Sequence, residues 1–157
     1  VLTSTVCCVL MMSVLTAIGL HYGWGFLLKY YGMPYLVFVV WLDLVTFLHH
    51  TDEDIPWYRG KDWYFLKGAL STVDRDYGIV NAIHHNIGTH VAHHIFITIP
   101  HYHLLEATAA IKPVLGEYYH VSQEPIWKAL WHSYRGCSFV SDSGSKIYYQ
   151  APRSRNK

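Results

Sequence analysis

Apolar and polar positions divide the chain into a greasy N-terminal third and a mixed, aromatic-rich remainder. The first 20 residues, VLTSTVCCVLMMSVLTAIGL, carry no charge. At about 1.5 Å per residue a helix of that length spans roughly 30 Å, the hydrocarbon thickness of a bilayer. Gly19, Gly23 and Gly25 surround His21 and Tyr22 and predict a bend. A second apolar stretch, YLVFVVWLDLVTFL, follows Pro34, a good first helical residue, and runs to Leu48. Trp24, Lys29, Tyr30 and Tyr31 extend it as interfacial anchors. The pattern predicts a mainly α fold. An integral-membrane helical hairpin over residues 1–50 is followed by a helix-rich, histidine-containing cap over 51–145 and a C-terminal tail over 146–157.

Within the cap, IPWYRGKDWYFLKGAL (55–70) interleaves Trp57, Tyr58, Trp63 and Tyr64 with charges, which suits a segment lying at a membrane surface. Residues 102–115 and 125–134 have the period of amphipathic helices. FVSDSGSKIYY reads as a short hairpin around Asp142, Ser143 and Gly144. The final APRSRNK reads as a frayed tail.

Charge sets the expected topology. Of 12 Lys and Arg residues, 11 fall at or after Arg59 and only Lys29 precedes it. The positive-inside rule puts the cap on the cytoplasmic or stromal side, where His49 and His50 would emerge from the second span. A net charge of +1 gives no case for nucleic-acid binding. The start lacks the basic flank and small-residue cleavage site of a signal peptide. Cys7, Cys8 and Cys137 make no disulfide framework and no CxxC, and Cys7 and Cys8 read as small hydrophobes.

Histidine carries the chemistry. Ten of the 12 histidines lie between His49 and His120, and five lie between His84 and His94. In HVAHH, positions i, i+3 and i+4 put His90, His93 and His94 on one helical face. Three imidazoles converging in low dielectric conflict if protonated, and a bound metal removes the conflict because each neutral nitrogen donates a lone pair. His50 is the next candidate ligand. Asp43 lies about two turns below it on the same stripe, and an ionisable residue inside a span is usually functional. Asp43 and Asn86 are the candidates for orienting ligands by hydrogen bonds. His85 is read as a further ligand or an orienting donor, with Gly88 as a break between it and the triplet. His49 points elsewhere on the helix, towards the interface. His84 reads as packing or surface, His101 and His103 as loop residues, and His120 and His132 as surface. The cluster Asp74, Arg75, Asp76 either pairs with polar groups of the histidine region or forms a capping turn on a solvated face.

Rival metal sites fare worse. No HExxH occurs, so a zinc-protease site lacks its base. A carboxylate-bridged di-iron bundle needs two ExxH motifs, and the chain has one, Glu117 to His120. Haem ligation fits poorly with three histidines crowding one face, although a haem-binding or structural membrane protein stays open as an alternative.

The strings WLDLVTFLHHT, PWYRGKDWYFLKGALSTVDRDYG, HHNIGTHVAHHIF and IPHYHLLEATAAIKPVLGEYY closely resemble plant, cyanobacterial and algal acyl-lipid fatty-acid desaturases. PWYRGKDW after LHHT resembles the omega-3 branch, and an omega-6 desaturase or a hydroxylase of the same scaffold is the alternative. HVAHH is similar to that family's third histidine box. The resemblance implies two iron ions held by histidines, with His90, His93 and His94 in the third box and His50 as the extra ligand. It further implies dioxygen, an acyl-lipid substrate, and electrons from cytochrome b5 or ferredoxin. The membrane would be that of chloroplast or thylakoid, or of the endoplasmic reticulum. The family's other two histidine boxes would precede the first span and do not occur in these residues. On that reading the 157-residue piece by itself lacks most ligands and activity.

The predicted topology is checked by cysteine-accessibility labelling in sealed vesicles. Probes at positions 23 and 85 should label from opposite sides, and labelling from the same side would refute the hairpin.

Overall fold

The computed structural model describes residues 1–152. It divides into two compact units, Val1–Asp43 and the remainder from Leu44.

In the first unit, helix α1 (Leu2–Tyr22) ends at Gly23, whose φ of 91° lies in the region that favours glycine. The hydroxyls of Thr5, Ser13 and Thr16 donate to carbonyls one turn back, at 3.1, 2.8 and 2.8 Å. Such bonds satisfy polar groups on a helix that is otherwise apolar all round. The chain becomes helical again at Trp24, earlier than the Pro34 start expected from sequence. A short helix α2 (Trp24–Leu27) passes through a π-turn (Leu28–Gly32) into α3 (Met33–His50). Pro34 therefore lies inside a helical run. Having no N–H, it cannot bond back to Tyr30, and the wider turn just before it, closed by Met33 N–H on the Leu28 carbonyl, absorbs the misfit. A Cβ on Gly19 would stand 2.8 Å from the Trp24 ring, so glycine there lets the indole close over the turn. Leu2–Tyr22 and Trp24–His50 are long and apolar enough to cross a membrane, with mean hydropathy 1.9 and 1.7, and only 6% and 11% of them is buried. Unlike core helices, they present their apolar side chains outward.

The second unit has a small core of Leu48, Ile55, Val73, Val91, Leu104 and Ile147. Its helices are short: α4 (Phe65–Ala69), α5 (His90–Ile95), α6 (Leu104–Leu115) and α7 (Ile126–Gly136). The last two match the amphipathic periods. Three two-stranded ladders staple the loops. Strand β1 (Trp57–Tyr58) pairs antiparallel with β5 (Lys146–Ile147), β2 (Asp74–Arg75) parallel with β3 (Val121–Ser122), and β4 (Phe139–Val140) antiparallel with β6 (Tyr149–Gln150). The expected hairpin forms, with Val140 of its first arm paired antiparallel to Tyr149 of its second across a loop that holds Asp142, Ser143 and Gly144. Inside that loop, Lys146–Ile147 pairs with Trp57–Tyr58 instead of with the first arm, and Ile147 is buried there. Of APRSRNK, Ala151 and Pro152 are exposed and the rest lies outside the described residues.

Residues 72–75 run through the middle of this unit, four consecutive buried positions. Their backbone N–H groups reach three separate segments. Val73 donates to the His49 carbonyl (3.1 Å), Asp74 to that of His120 (3.0 Å) and Arg75 to that of Gly88 (3.0 Å). The solvated capping turn is thus not what forms at Asp74 and Arg75, each 4% exposed. Asp76 alone behaves that way, accepting from Gly78 N–H at 2.8 Å.

Gly88 is required by close approach, since a Cβ there would fall on the Arg75 carbonyl oxygen. Gly88→Ala should lower stability by about 2–3 kcal/mol or more. The check is the thermal midpoint of the detergent-solubilised protein, with Gly25→Ala, an open position without a left-handed φ, as the comparison.

Candidate metal centre

Three imidazoles converge where the C-terminus of α3 meets α5. His90 Nε2 lies 3.1 Å from His50 Nε2, and His94 Nε2 lies 3.3 Å from the same atom. Among the described residues, His50, His90 and His94 form the one group of potential ligands whose atoms all fall within 4.8 Å of each other. Two nitrogens bound about 2.1 Å from one ion, at angles between roughly 90° and 110°, stand about 3.0–3.4 Å apart. The spacings from His50 to His90 and from His50 to His94 therefore each fit a pair of nitrogens on one ion.

Tautomers support the same use. His90 Nδ1 lies 3.2 Å from the Ile87 carbonyl, which only accepts, so Nδ1 carries the proton and Nε2 offers its lone pair to the cluster. Burial, reinforced by the neighbouring histidines, pushes the His90 imidazole down to about 2 and that of His94 down to about 4. Both are neutral at physiological pH, as a ligand must be.

His49 stacks on His90 at 4.2 Å yet has no nitrogen to offer. It is fully buried rather than interfacial, a correction to the sequence reading. Its Nδ1 donates to the Val73 carbonyl at 2.6 Å, and its Nε2 accepts the Tyr77 hydroxyl at 3.2 Å. Adjacent residues on a helix point about 100° apart, so one of the pair enters the core while the other faces the cluster.

His93 packs its ring 5.4 Å from His90 and 5.8 Å from His94, beside the three-nitrogen group. His85 is exposed, at φ 58°, and stacks on His101 at 4.3 Å. Asn86 follows in the same left-handed conformation, which asparagine tolerates, and its carbonyl accepts from Thr89 Oγ1 and N–H at 2.7 and 3.0 Å. Asp43 is exposed. His84 sets its ring edge-on to Tyr77 at 4.9 Å, and His132 pairs with Glu124 on the surface at 2.9 Å.

Of the supporting polar residues, Asp74 and Arg75 were singled out from sequence as a charged cluster that could pair with polar groups of the histidine region, while Tyr77 and Tyr119 were not. Asp74 accepts Val91 N–H at 2.7 Å and the Tyr119 hydroxyl at 2.6 Å, although burial raises the pKa of its carboxyl. Arg75 Nε donates to the Leu48 carbonyl at 2.7 Å, Nη1 to Ser122 Oγ at 3.0 Å, and Nη2 pairs with Asp52. Tyr77 and Tyr119 lie 13 or more residues from His50, His90 and His94 along the chain. The only signal was the DRD triplet itself.

The profile of the fatty acid desaturase family matches residues 3–125. The chain belongs to that family. It is 65% identical to an sn-1 acyl-lipid omega-3 desaturase (ferredoxin) of Nostoc sp. across all of this chain and 43% of that protein. A protein of the same name from Synechocystis sp. is 65% identical over 97% of this chain and 42% of its own length. An omega-3 fatty acid desaturase, endoplasmic reticulum, of Vigna radiata is 52% identical over 96% of this chain and 42% of its own length. The chain thus spans well under half the length of these curated relatives.

Replacing His50, His90 or His94 by Gln in the full-length protein should weaken iron retention at least about tenfold, whereas His85→Gln should leave it unchanged. Iron content after dialysis against graded chelator decides. The metal-stripped protein should also lose stability as pH falls below about 6.5. The unfolded chain takes up protons there, while folded His90 does not until about 2, so the unfolded state binds more protons throughout that window. Thermal midpoints from about pH 7 to about pH 5 should fall steadily, and a flat profile would contradict this.

Proposed function

We propose that this chain is part of an acyl-lipid omega-3 desaturase that works in a membrane with ferredoxin as its electron donor. The observation that carries the reading is the convergence of His50, His90 and His94 Nε2 atoms at the buried end of an apolar helix long enough to span a bilayer. His93, packed against two of these rings, is a further imidazole that the chain would offer to a second ion. Two irons, when bound, supply the redox chemistry with dioxygen that takes two hydrogens from adjacent methylenes, which no amino-acid side chain can do.

The protein's own part is binding and orientation. His90 is held in one tautomer by the Ile87 carbonyl, and burial keeps the ligand nitrogens free of protons. The apolar walls of Leu48, Val91 and Ala92 exclude water from the side on which His49 stacks. The omega-3 position and the ferredoxin donor are supported by the names of the two relatives at 65% identity, against 52% for the endoplasmic-reticulum protein. A chloroplast or thylakoid-type membrane is the location consistent with that donor. The cap would face the side that ferredoxin reaches, in line with the skewed lysine and arginine count.

The full-length enzyme, expressed in a host that supplies an omega-6 dienoic acyl lipid, tests this. Wild-type protein should raise the trienoic fraction. His90→Gln, His93→Gln and His94→Gln should abolish it while the immunoblot of membranes stays constant, and His132→Gln should retain most product. Normal product from the His93 variant would remove His93 from the site, and no trienoic product from wild type would refute the omega-3 assignment.

A further inference from the structure

The histidine cluster joins two elements that touch through imidazole rings, with His49 of α3 stacked on His90 of α5. His50 stands at the last turn of α3, while His90 and His94 stand on α5, a helix of six residues. A helix so short has no stability of its own. Ring stacking alone does not fix its position along α3, so further bonds must set the distance between the two.

The strand β2 lies in position to do so. Successive side chains on a strand leave opposite faces, so neighbouring residues can grip different elements. Asp74 reaches α5, where its Oδ1 accepts the Val91 N–H at 2.7 Å, and the Tyr119 hydroxyl steadies its other oxygen at 2.6 Å. Arg75 reaches the other way. Its Nε donates to the Leu48 carbonyl in the last turn of α3, and its Nη2 pairs with Asp52 just beyond that helix. The Arg75 N–H also holds Gly88, two residues before α5, at 3.0 Å. Both side chains are almost wholly buried, and neither touches a ligand nitrogen.

We propose that Asp74 and Arg75 are the positioning residues of the metal centre, spacing the His50 end of α3 from the His90–His94 face of α5 through their two opposed sets of hydrogen bonds. The inference rests on the metal-binding reading of His50, His90 and His94.

Full-length protein loaded with iron tests it, with the rate of iron release to a chelator as the readout. Asp74→Asn keeps the size of the side chain but replaces a charge-assisted bond to Val91 N–H with a weaker one. Arg75→Lys keeps the charge but cannot serve the Leu48 carbonyl and Asp52 together. Each should release iron about tenfold faster than wild type. Ile147→Val is the control. It trims a buried core side chain in β5 of the same unit, on neither α3 nor α5, and should release iron at the wild-type rate. Wild-type rates in both Asp74→Asn and Arg75→Lys would overturn the proposal, as would equally fast release from Ile147→Val, which would mark a general loss of stability. If either variant fails to accumulate, Tyr119→Phe decides. It removes only the hydroxyl that steadies Asp74, and release at the wild-type rate would refute the role. A wild-type protein that holds no iron would instead refute the metal-centre reading beneath it.

Discussion

The last carbonyls of α3 are the constraint on which the rest of the second unit depends. A helix end has no internal donors for its final carbonyls, and here Leu48 and His49 are both fully buried, so water is largely kept from them. Leaving one such group unsatisfied costs about 1–3 kcal/mol. The donors come from one segment. Arg75 Nε serves Leu48, while the Val73 N–H and the Thr72 hydroxyl serve His49 at 3.1 and 2.7 Å. Satisfying the helix end therefore brings residues 72–75 into the interior, where Asp52 is needed to pair the buried guanidinium.

Once that segment is fixed, the histidine box follows. Its remaining edges pair with His120 and Gly88, which ties the region beyond α6 and the turn before α5 to the same strand. Helix α5 starts where Asp74 accepts its N–H, and the His90 ring then faces His50. Burial that would disfavour three protonated imidazoles becomes an advantage for ligands that must be neutral. The geometry of the cluster thus has its origin in hydrogen bonds that involve no ligand atom.

How much of this was legible in the sequence depends on the range of the forces involved. The two long apolar helices, α6 and α7 were readable because periodicity and hydropathy are local. The convergence of His90 and His94 was readable because positions i and i+4 share one helical face. The Pro34 boundary failed because a π-turn can accommodate a proline that local rules place at a helix start. The hairpin over 139–149 was readable from its local turn signal, but the pairing of Ile147 with Trp57, 90 residues away, was not. Asp74 and Arg75 were seen as a charged cluster but not as interior residues. Their partners lie 17 to 47 residues away, at Val91, Leu48, Asp52, Ser122 and Tyr119, and no pattern in one sequence reveals pairing at that separation.

The pair His49 and His50 shows why residue type alone cannot assign a ligand. They are adjacent, share a helix, and flank the same His90 ring, one stacked at 4.2 Å and the other edge-on at 5.0 Å. What separates them is the use of their ring nitrogens. Those of His49 are both engaged, by a carbonyl that forces the proton onto Nδ1 and a hydroxyl that takes the Nε2 lone pair. The Nε2 of His50 has instead only other imidazoles within reach, at 3.1 and 3.3 Å. Two neutral imidazoles can share one proton between them, but a third at the same atom cannot be satisfied that way. A cation in the centre satisfies all three at once. The structural histidine and the candidate ligand histidine are thus told apart by what already occupies their lone pairs, a criterion that depends on the folded surroundings and not on the motif.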